Sequence, residues 1–328
     1  MTISQIWYIE NMLIANLFFF ILGLCIIWVA SGLIVRGVER FSKSTKISSF
    51  ATSFLILGFL TSLTEISVGL NAVLDKKPSI FVGNLIGGSF VILMLIVPML
   101  AIWNGGIAFR RKLDLKKLLF FLVLIAAPSF VTLDGQVSIS DAWLLLILYL
   151  LFINLFQREQ RILDKLEQSS KKNRLSRDLL AIVIGAILIY IAGKILVEQT
   201  ISLSEALGVP SLLISLLVLS IGTNLPELTI AARAMKNRHS EIAFGDYIGS
   251  AATNVALFAI LTFIHGSFQL ETRGFTPIFF IIILGYVLFF IFSRHKNRLA
   301  PAEGAVLIVV YLMFVLFQIT EILSLAQL

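Results

Sequence analysis

The feature that most constrains this chain is a series of long apolar runs, at 13–35, 48–74, 79–103, 117–133, 138–156, 179–197, 210–235, 241–264, 275–293 and 303–324. A helix needs about 20 mostly apolar residues to cross a bilayer, with a working range of about 17–25. The runs are long enough, so the sequence predicts an all-α polytopic membrane protein with ten transmembrane helices, the fourth interrupted by Ala127-Pro128-Ser129. A transmembrane β-barrel is excluded, because barrel strands read as short segments of alternating hydrophobicity. The chain is 58% hydrophobic and 14% charged over 328 residues, against about 25% charged in soluble domains. That leaves too little polar surface to cover a water-soluble fold. Cys25 is the only cysteine, lies in the first run and counts as a small apolar residue. No Lys or Arg precedes Arg36, so the first run lacks the basic flank of a signal peptide and is read as a span.

Charge sets the predicted orientation. Lys and Arg number 26 against 19 Asp and Glu, a net charge of +7. In a soluble protein this excess would suggest nucleic acid as a partner; in a membrane protein it marks inner loops. With the N-terminus outside, 22 of the 26 basic residues fall in the inner segments 36–46, 110–117, 158–177, 233–238 and 294–298. Only Lys76, Lys77 and Arg273 fall outside, and Lys194 lies within the sixth run, where it can pair with Glu198. The expectation is N-out and C-out in the cytoplasmic (inner) membrane, with the lipid bilayer as partner and no role for nucleic acid. Residues 157–178 form the one long hydrophilic segment and read as a cytoplasmic linker between two five-helix halves, 1–156 and 179–328.

The halves are related. An offset of 162 residues places Thr61-Ser62-Leu63-Thr64-Glu65 on Thr223-Asn224-Leu225-Pro226-Glu227, and Gly83-Asn84-Leu85-Ile86-Gly87 on Gly245-Asp246-Tyr247-Ile248-Gly249. Five spans is an odd number, so the second half enters from the opposite side. This is an inverted-topology repeat, the plan of secondary transporters whose sites form near the midplane where the repeats meet.

Glu65 and Glu227 lie deep in the second and seventh runs. A charge there costs about 2.5–3.5 kcal/mol on insertion scales, so such residues face an interior pathway. Two facing carboxylates supply four oxygens and can balance one Ca²⁺, two Na⁺ or two H⁺. Calcium takes 6–8 oxygen ligands, and the remainder can come from Thr61, Thr223, Ser62 and Asn224. Pro226 removes a backbone donor and Gly222 precedes it, so a break in that helix is expected. Gly83 with Gly87, and Gly245 with Gly249, make small-residue faces for close helix approach. Ser250 and Asn254 are four apart and share the helix face expected near Glu227.

On these motifs the chain resembles the cation/calcium antiporter superfamily, specifically the prokaryotic sodium/calcium exchanger type. That family has ten transmembrane helices in two inverted halves, each with an alpha repeat reading G-T-S-L-P-E and then G-N-x-I-G-S-x-x-x-N/D. Here the alpha-2 repeat, about 210–264, reads Gly222-Thr223-Asn224-Leu225-Pro226-Glu227 and then Gly245-Asp246-Tyr247-Ile248-Gly249-Ser250 with Asn254. The alpha-1 repeat, about 48–103, reads Thr61-Ser62-Leu63-Thr64-Glu65 and then Gly83-Asn84-Leu85-Ile86-Gly87. The resemblance implies that Glu65 and Glu227 are the central calcium carboxylates. It implies that Thr61 and Thr223 ligate calcium through backbone carbonyls, with Ser62, Asn224 and Ser250 around sodium positions. Asn254 falls beside the central site, and the first and sixth helices become a sliding gate pair. The departures are Leu60 and Thr64 for glycine and proline, Gly88 for serine, Ile92 for asparagine, and Asn224 for serine.

The implied function is secondary antiport of calcium, or a related cation, against sodium or protons by alternating access, in a chain that works as a monomer without an organic cofactor. A proton-coupled or altered-specificity exchanger and a degenerate, non-transporting relative are the alternatives that Gly88 and Ile92 raise. A membrane enzyme is disfavoured: His239, His265 and His295 lie at helix ends and no HExxH occurs.

Overall fold

The computed structural model describes residues 15–30, 32–33, 62–108, 115–157, 175–225, 227–228, 240–294 and 298–326. In chain order the helices are α1 (Ala15–Ala30), α2 (Leu63–Leu74), α3 (Pro78–Trp103), α4 (Leu115–Val131), α5 (Ile139–Gln157), α6 (Leu175–Leu207), α7 (Ser211–Thr223), α8 (Ser240–His265), α9 (Phe275–Arg294) and α10 (Pro301–Ala326). Two-residue strands join them at the ends: β1 (Ile107–Ala108), β2 (Gln136–Val137), β3 (Phe268–Gln269) and β4 (Arg298–Leu299). Five segments among the described residues are long and apolar enough to cross a membrane: Pro78–Trp103, Val183–Leu207, Tyr247–His265, Phe275–Arg294 and Pro301–Leu325. The outward faces of the peripheral helices are apolar, with Phe130, Trp143, Phe280 and Leu316 all more than half exposed. Such a surface is stable against lipid and not against water.

Six predicted runs, 79–103, 117–133, 138–156, 241–264, 275–293 and 303–324, match these helices to within two residues at both ends, and the sixth and seventh runs do not. The sixth helix continues ten residues past its expected end, to Leu207. Lys194 and Glu198 do not stop it, because both side chains are solvent- or interface-facing, 61% and 52% exposed, and their charged ends are 3.8 Å apart. The helix ends at Gly208, whose φ of +65° only glycine adopts readily. The run at 210–235 is not one helix either: α7 stops at Thr223, and Asn224 takes φ −89°, ψ 13°. The run expected at 48–74 is described from Ser62 onward, and 48–61 lies outside the described residues.

The 162-residue offset governs the architecture as well as the motifs. Both α3 and α8 have 26 residues, and their first residues, Pro78 and Ser240, are 162 apart. So are the starts of α5 and α10, Ile139 and Pro301. Even the helix starts are built alike: the Ser138 N–H donates to Asp141 Oδ2 at 2.8 Å, and the Ala300 N–H to Glu303 Oε2 at 2.7 Å. An acidic residue in the first turn thus satisfies a backbone donor the helix leaves open. Packing is crossed between the halves. Helix α5 lies on α8 and α10 on α3, while β1 pairs with β4 and β2 with β3, both antiparallel. Each contact is the image of the other under exchange of the halves.

The centre is the α3–α7 crossing. A Cβ on Gly83 would lie 2.5 Å from the Leu212 carbonyl oxygen, and one on Gly87 the same distance from that of Leu216. Two glycines one turn apart let α3 press onto the backbone of α7, where the helix widens to π geometry over Ser215–Leu219. This seats the last turn of α7 directly over Asn84 and Gly88.

Candidate cation site

The site is built on a helix break at Asn224 and on the start of α2 at Ser62. Asn224 ends α7; its own N–H turns to the Gly222 carbonyl, and helix resumes with the Leu228 N–H donating to the Asn224 carbonyl at 3.0 Å. Pro226 has no N–H to offer, so carbonyls in the last turn of α7 lose their helical donors. In the other half, Ser62 caps α2 with φ −71°, ψ −3°, and its carbonyl accepts the Ile66 N–H at 2.9 Å. Ser62 and Asn224 are counterparts in the repeat, as are Ile66 and Leu228.

Glu65 and Glu227 follow Ser62 and Asn224 by three residues and are almost fully buried, at 1% and 0% exposure. Their surroundings differ. Ser250 of α8 donates its hydroxyl to Glu227 Oε1 at 3.1 Å, and the Tyr247 hydroxyl reaches the Glu227 carbonyl at 3.4 Å. Glu65 Oε2 accepts from its neighbour Thr64 at 2.7 Å, and the Thr64 hydroxyl also lies 3.1 Å from the Thr223 carbonyl oxygen. Thr64 therefore ties the first carboxylate to the end of α7, across 159 residues of sequence. The Thr223 hydroxyl donates to Asn84 Oδ1 at 2.9 Å. Asn254 donates through Nδ2 to Ser89 Oγ at 3.3 Å, and Asn224 Nδ2 to the Ser220 carbonyl at 2.8 Å.

Several oxygens here are buried and lack a hydrogen-bond partner among the described residues: Ser62 Oγ, Glu65 Oε1, Asn224 Oδ1 and Asn254 Oδ1. An unsatisfied buried acceptor costs about 1–3 kcal/mol, and more when charged. A concentration of them around two carboxylates is what a desolvated cation reverses. No group of three or more His, Cys, Asp or Glu gathers among the described residues. The donor set is two carboxylates with neutral oxygens, the chemistry of a hard cation.

Of the residues expected from sequence, the structure brings Glu65, Ser62, Thr223, Asn224, Glu227, Ser250 and Asn254 into this region. Thr61 lies outside the described residues. Ser250 faces Glu227 as helical spacing predicts, whereas the Asn254 amide turns to Ser89. Sequence reasoning gave no role to Thr64, Asn84, Ser89 or Ser220. The available signals were a hydroxyl directly before the glutamate and the asparagine inside the first glycine motif.

The profile of the family described as "Sodium/calcium exchanger protein" matches residues 15–157 and again residues 178–320, once for each half. Similar proteins include the membrane protein MJ0091 of Methanocaldococcus jannaschii, 24% identical with 92% of this chain and 97% of that one covered. The sodium/calcium exchanger MaX1 of Methanosarcina acetivorans is also 24% identical, covering 94% of this chain and 100% of its own. Among solved structures, the sodium-calcium exchanger NCX_Mj soaked with Na⁺ and Sr²⁺ shares the fold with a TM-score of 0.62 at 22% identity, covering 91% of this chain and 96% of that one. The family is one of cation-transporting membrane proteins rather than enzymes, and membership supports cation antiport. This chain belongs to the sodium/calcium exchanger protein family.

Proposed function

We infer that the protein is a secondary antiporter that exchanges Ca²⁺, or a related cation, against Na⁺ or H⁺ by alternating access at one site near the membrane midplane. Glu65 and Glu227 supply the charge. The carbonyls of Thr61 and Thr223, the side chains of Ser62, Asn224 and Ser250, and the amide of Asn254 complete the ligand set. The reading places ten transmembrane helices in two inverted halves, N-out and C-out, in the cytoplasmic membrane of a monomer.

The observation that carries it is the group of buried oxygens without hydrogen-bond partners among the described residues, accompanying two buried carboxylates at repeat-related positions. Two charges buried in an apolar bundle are costly, and their repeat-related positions support a shared site between the halves. Two carboxylates neutralise one divalent cation or two monovalent ions, so each can displace the other without a net buried charge. That stoichiometric balance is the physical basis of exchange rather than co-transport. The NCX_Mj crystals soaked with Na⁺ and Sr²⁺ support a divalent and a monovalent cation as the exchanged pair.

The test is flux. Purified protein in liposomes is expected to take up ⁴⁵Ca²⁺ when an outward Na⁺ or H⁺ gradient is imposed, and the gradient that works names the driving ion. Glu65→Gln and Glu227→Gln remove one charge each at nearly constant shape and are expected to abolish uptake. Uptake that persists in both would remove the two carboxylates from the mechanism.

A further inference from the structure

The two halves of the site differ most at one corner, where Gly88 of α3 faces Asn224. In the repeat, Gly88 is the counterpart of Ser250 and Asn224 the counterpart of Ser62, each 162 residues away. Ser250 donates to Glu227 Oε1. Gly88 has no side chain to do the same for Glu65, and Glu65 Oε1 has no hydrogen-bond partner among the described residues. The space is filled from the other half instead. A Cβ on Gly88 would lie 2.9 Å from Asn224 Nδ2 and 3.3 Å from Asn254 Nδ2. A side chain at 88 and an amide at 224 therefore compete for one volume.

The way the amides are turned decides what this corner can hold. With the Asn224 N–H directed to Gly222, the Ser220 carbonyl loses its helical donor, and carbonyls freed at a break in a membrane helix are natural cation ligands. Here Asn224 Nδ2 occupies that carbonyl at 2.8 Å. Asn254 brings a second N–H edge to the same corner while donating to Ser89. The positive ends of two amides thus line the place at Gly88 where its repeat counterpart, Ser250, presents a hydroxyl to Glu227.

We propose that Asn224, admitted by Gly88, closes the Glu65 corner to monovalent cations, so that Gly88 and Asn224 form a specificity-determining pair that lowers the number of Na⁺ ions the site takes. This rests on the antiport reading and adds to it how many ions the site accepts. The paired replacement Gly88→Ser with Asn224→Ser gives both positions the residue of their repeat counterparts. It removes the amide from the Ser220 carbonyl, which the Thr223 hydroxyl also reaches at 3.4 Å, relieves the contact with Asn224, and gives position 88 the hydroxyl that its counterpart Ser250 offers Glu227.

The experiment measures Na⁺-driven Ca²⁺ flux in liposomes against Na⁺ concentration for wild type, each single variant and the double variant. A Hill coefficient is bounded by the number of sites, and it is expected to rise by about one in the double variant. Gly88→Ser alone is expected to lose most of its flux and to recover when Asn224→Ser is added. Asn224→Ser alone adds no bulk and is expected to steepen the Na⁺ response partway, which keeps the test decisive if Gly88→Ser fails to fold. A second readout needs no transport: Na⁺ should raise the melting temperature of the detergent-solubilised double variant more steeply than that of wild type, by mass action. A double variant that matches wild type in both Na⁺ readouts overturns the proposal, as does a fully active Gly88→Ser. If the wild type shows no cation-driven flux at all, the antiport reading fails, and the melting comparison still decides the role of the pair.

Discussion

Replacing Gly87 with alanine tests the α3–α7 crossing that holds the site together. The new Cβ would lie 2.5 Å from the Leu216 carbonyl oxygen and 2.8 Å from Ser220 Cβ and Oγ. Ordinary contacts of this kind are about 3.5–4.0 Å, so the helices must separate by roughly 1 Å. A gap of that size forfeits about a quarter to a half of each contact's attraction. Overpacking of this sort costs about 1–3 kcal/mol, and backbone on the far side cannot rotate away, which puts the cost near the top. Alanine returns at most about 1 kcal/mol of helix propensity, leaving a net loss of about 2 kcal/mol. Gly69→Ala is the matched control, because its Cβ meets only side-chain atoms of Leu261, and a rotamer shift there costs about 0.5–1.5 kcal/mol. Denaturant unfolding in detergent, followed by tryptophan fluorescence, reads both. Gly87→Ala should be clearly the less stable variant, with half-saturating Ca²⁺ raised because Ser220 and Thr223 ride on the displaced turn. A Gly87→Ala protein as stable as wild type, or no worse than Gly69→Ala, would refute the reasoning.

Other outcomes follow from the same geometry. Thr64→Val keeps the shape but removes the hydroxyl between Glu65 Oε2 and the Thr223 carbonyl; baring buried acceptors costs about 1–3 kcal/mol, read as weaker Ca²⁺ binding by isothermal titration. Unchanged affinity would mean that Thr64 does not position the site. Asp141→Ala removes the carboxylate that holds the start of α5, where Ser138 N and Oγ lie 2.8 and 2.6 Å from Asp141 Oδ2. It should lower stability by about 0.5–2 kcal/mol and leave flux per folded molecule unchanged; altered ion affinity would contradict the purely structural role.

Much of this architecture is legible in the linear sequence because lipid imposes it. Every backbone group must be satisfied within the helix, so apolar length marks the helices, and most ends fall within two residues of expectation. The end of α6 at Leu207 lies ten residues past the predicted boundary, beyond Lys194 and Glu198. Long side chains pairing at the periphery are tolerated where a core charge is not. The break at Asn224 was written in Gly222 and Pro226. What the sequence could not show is compensation across space. Ile92 and Gly88 read as polar groups lost from the first half, whereas Ile92 is buried at the start of a π segment, Ile92–Ile96, and the volume at Gly88 is taken by Asn224. Residues 136 apart in sequence meet only because two glycines bring α3 onto α7. Thr64 likewise gains meaning only from the Thr223 carbonyl it reaches.

The central claim is that one cation sits between Glu65 and Glu227. Its most direct test is a crystal structure soaked with Ca²⁺ or Sr²⁺, with the ion placed by anomalous scattering. Density is expected to bridge the two carboxylates, with Ca²⁺–oxygen distances of about 2.3–2.6 Å and further ligands drawn from the side-chain oxygens of Ser62, Asn224 and Asn254. An ordered ion elsewhere in the bundle, with both glutamates out of its coordination shell, would contradict it.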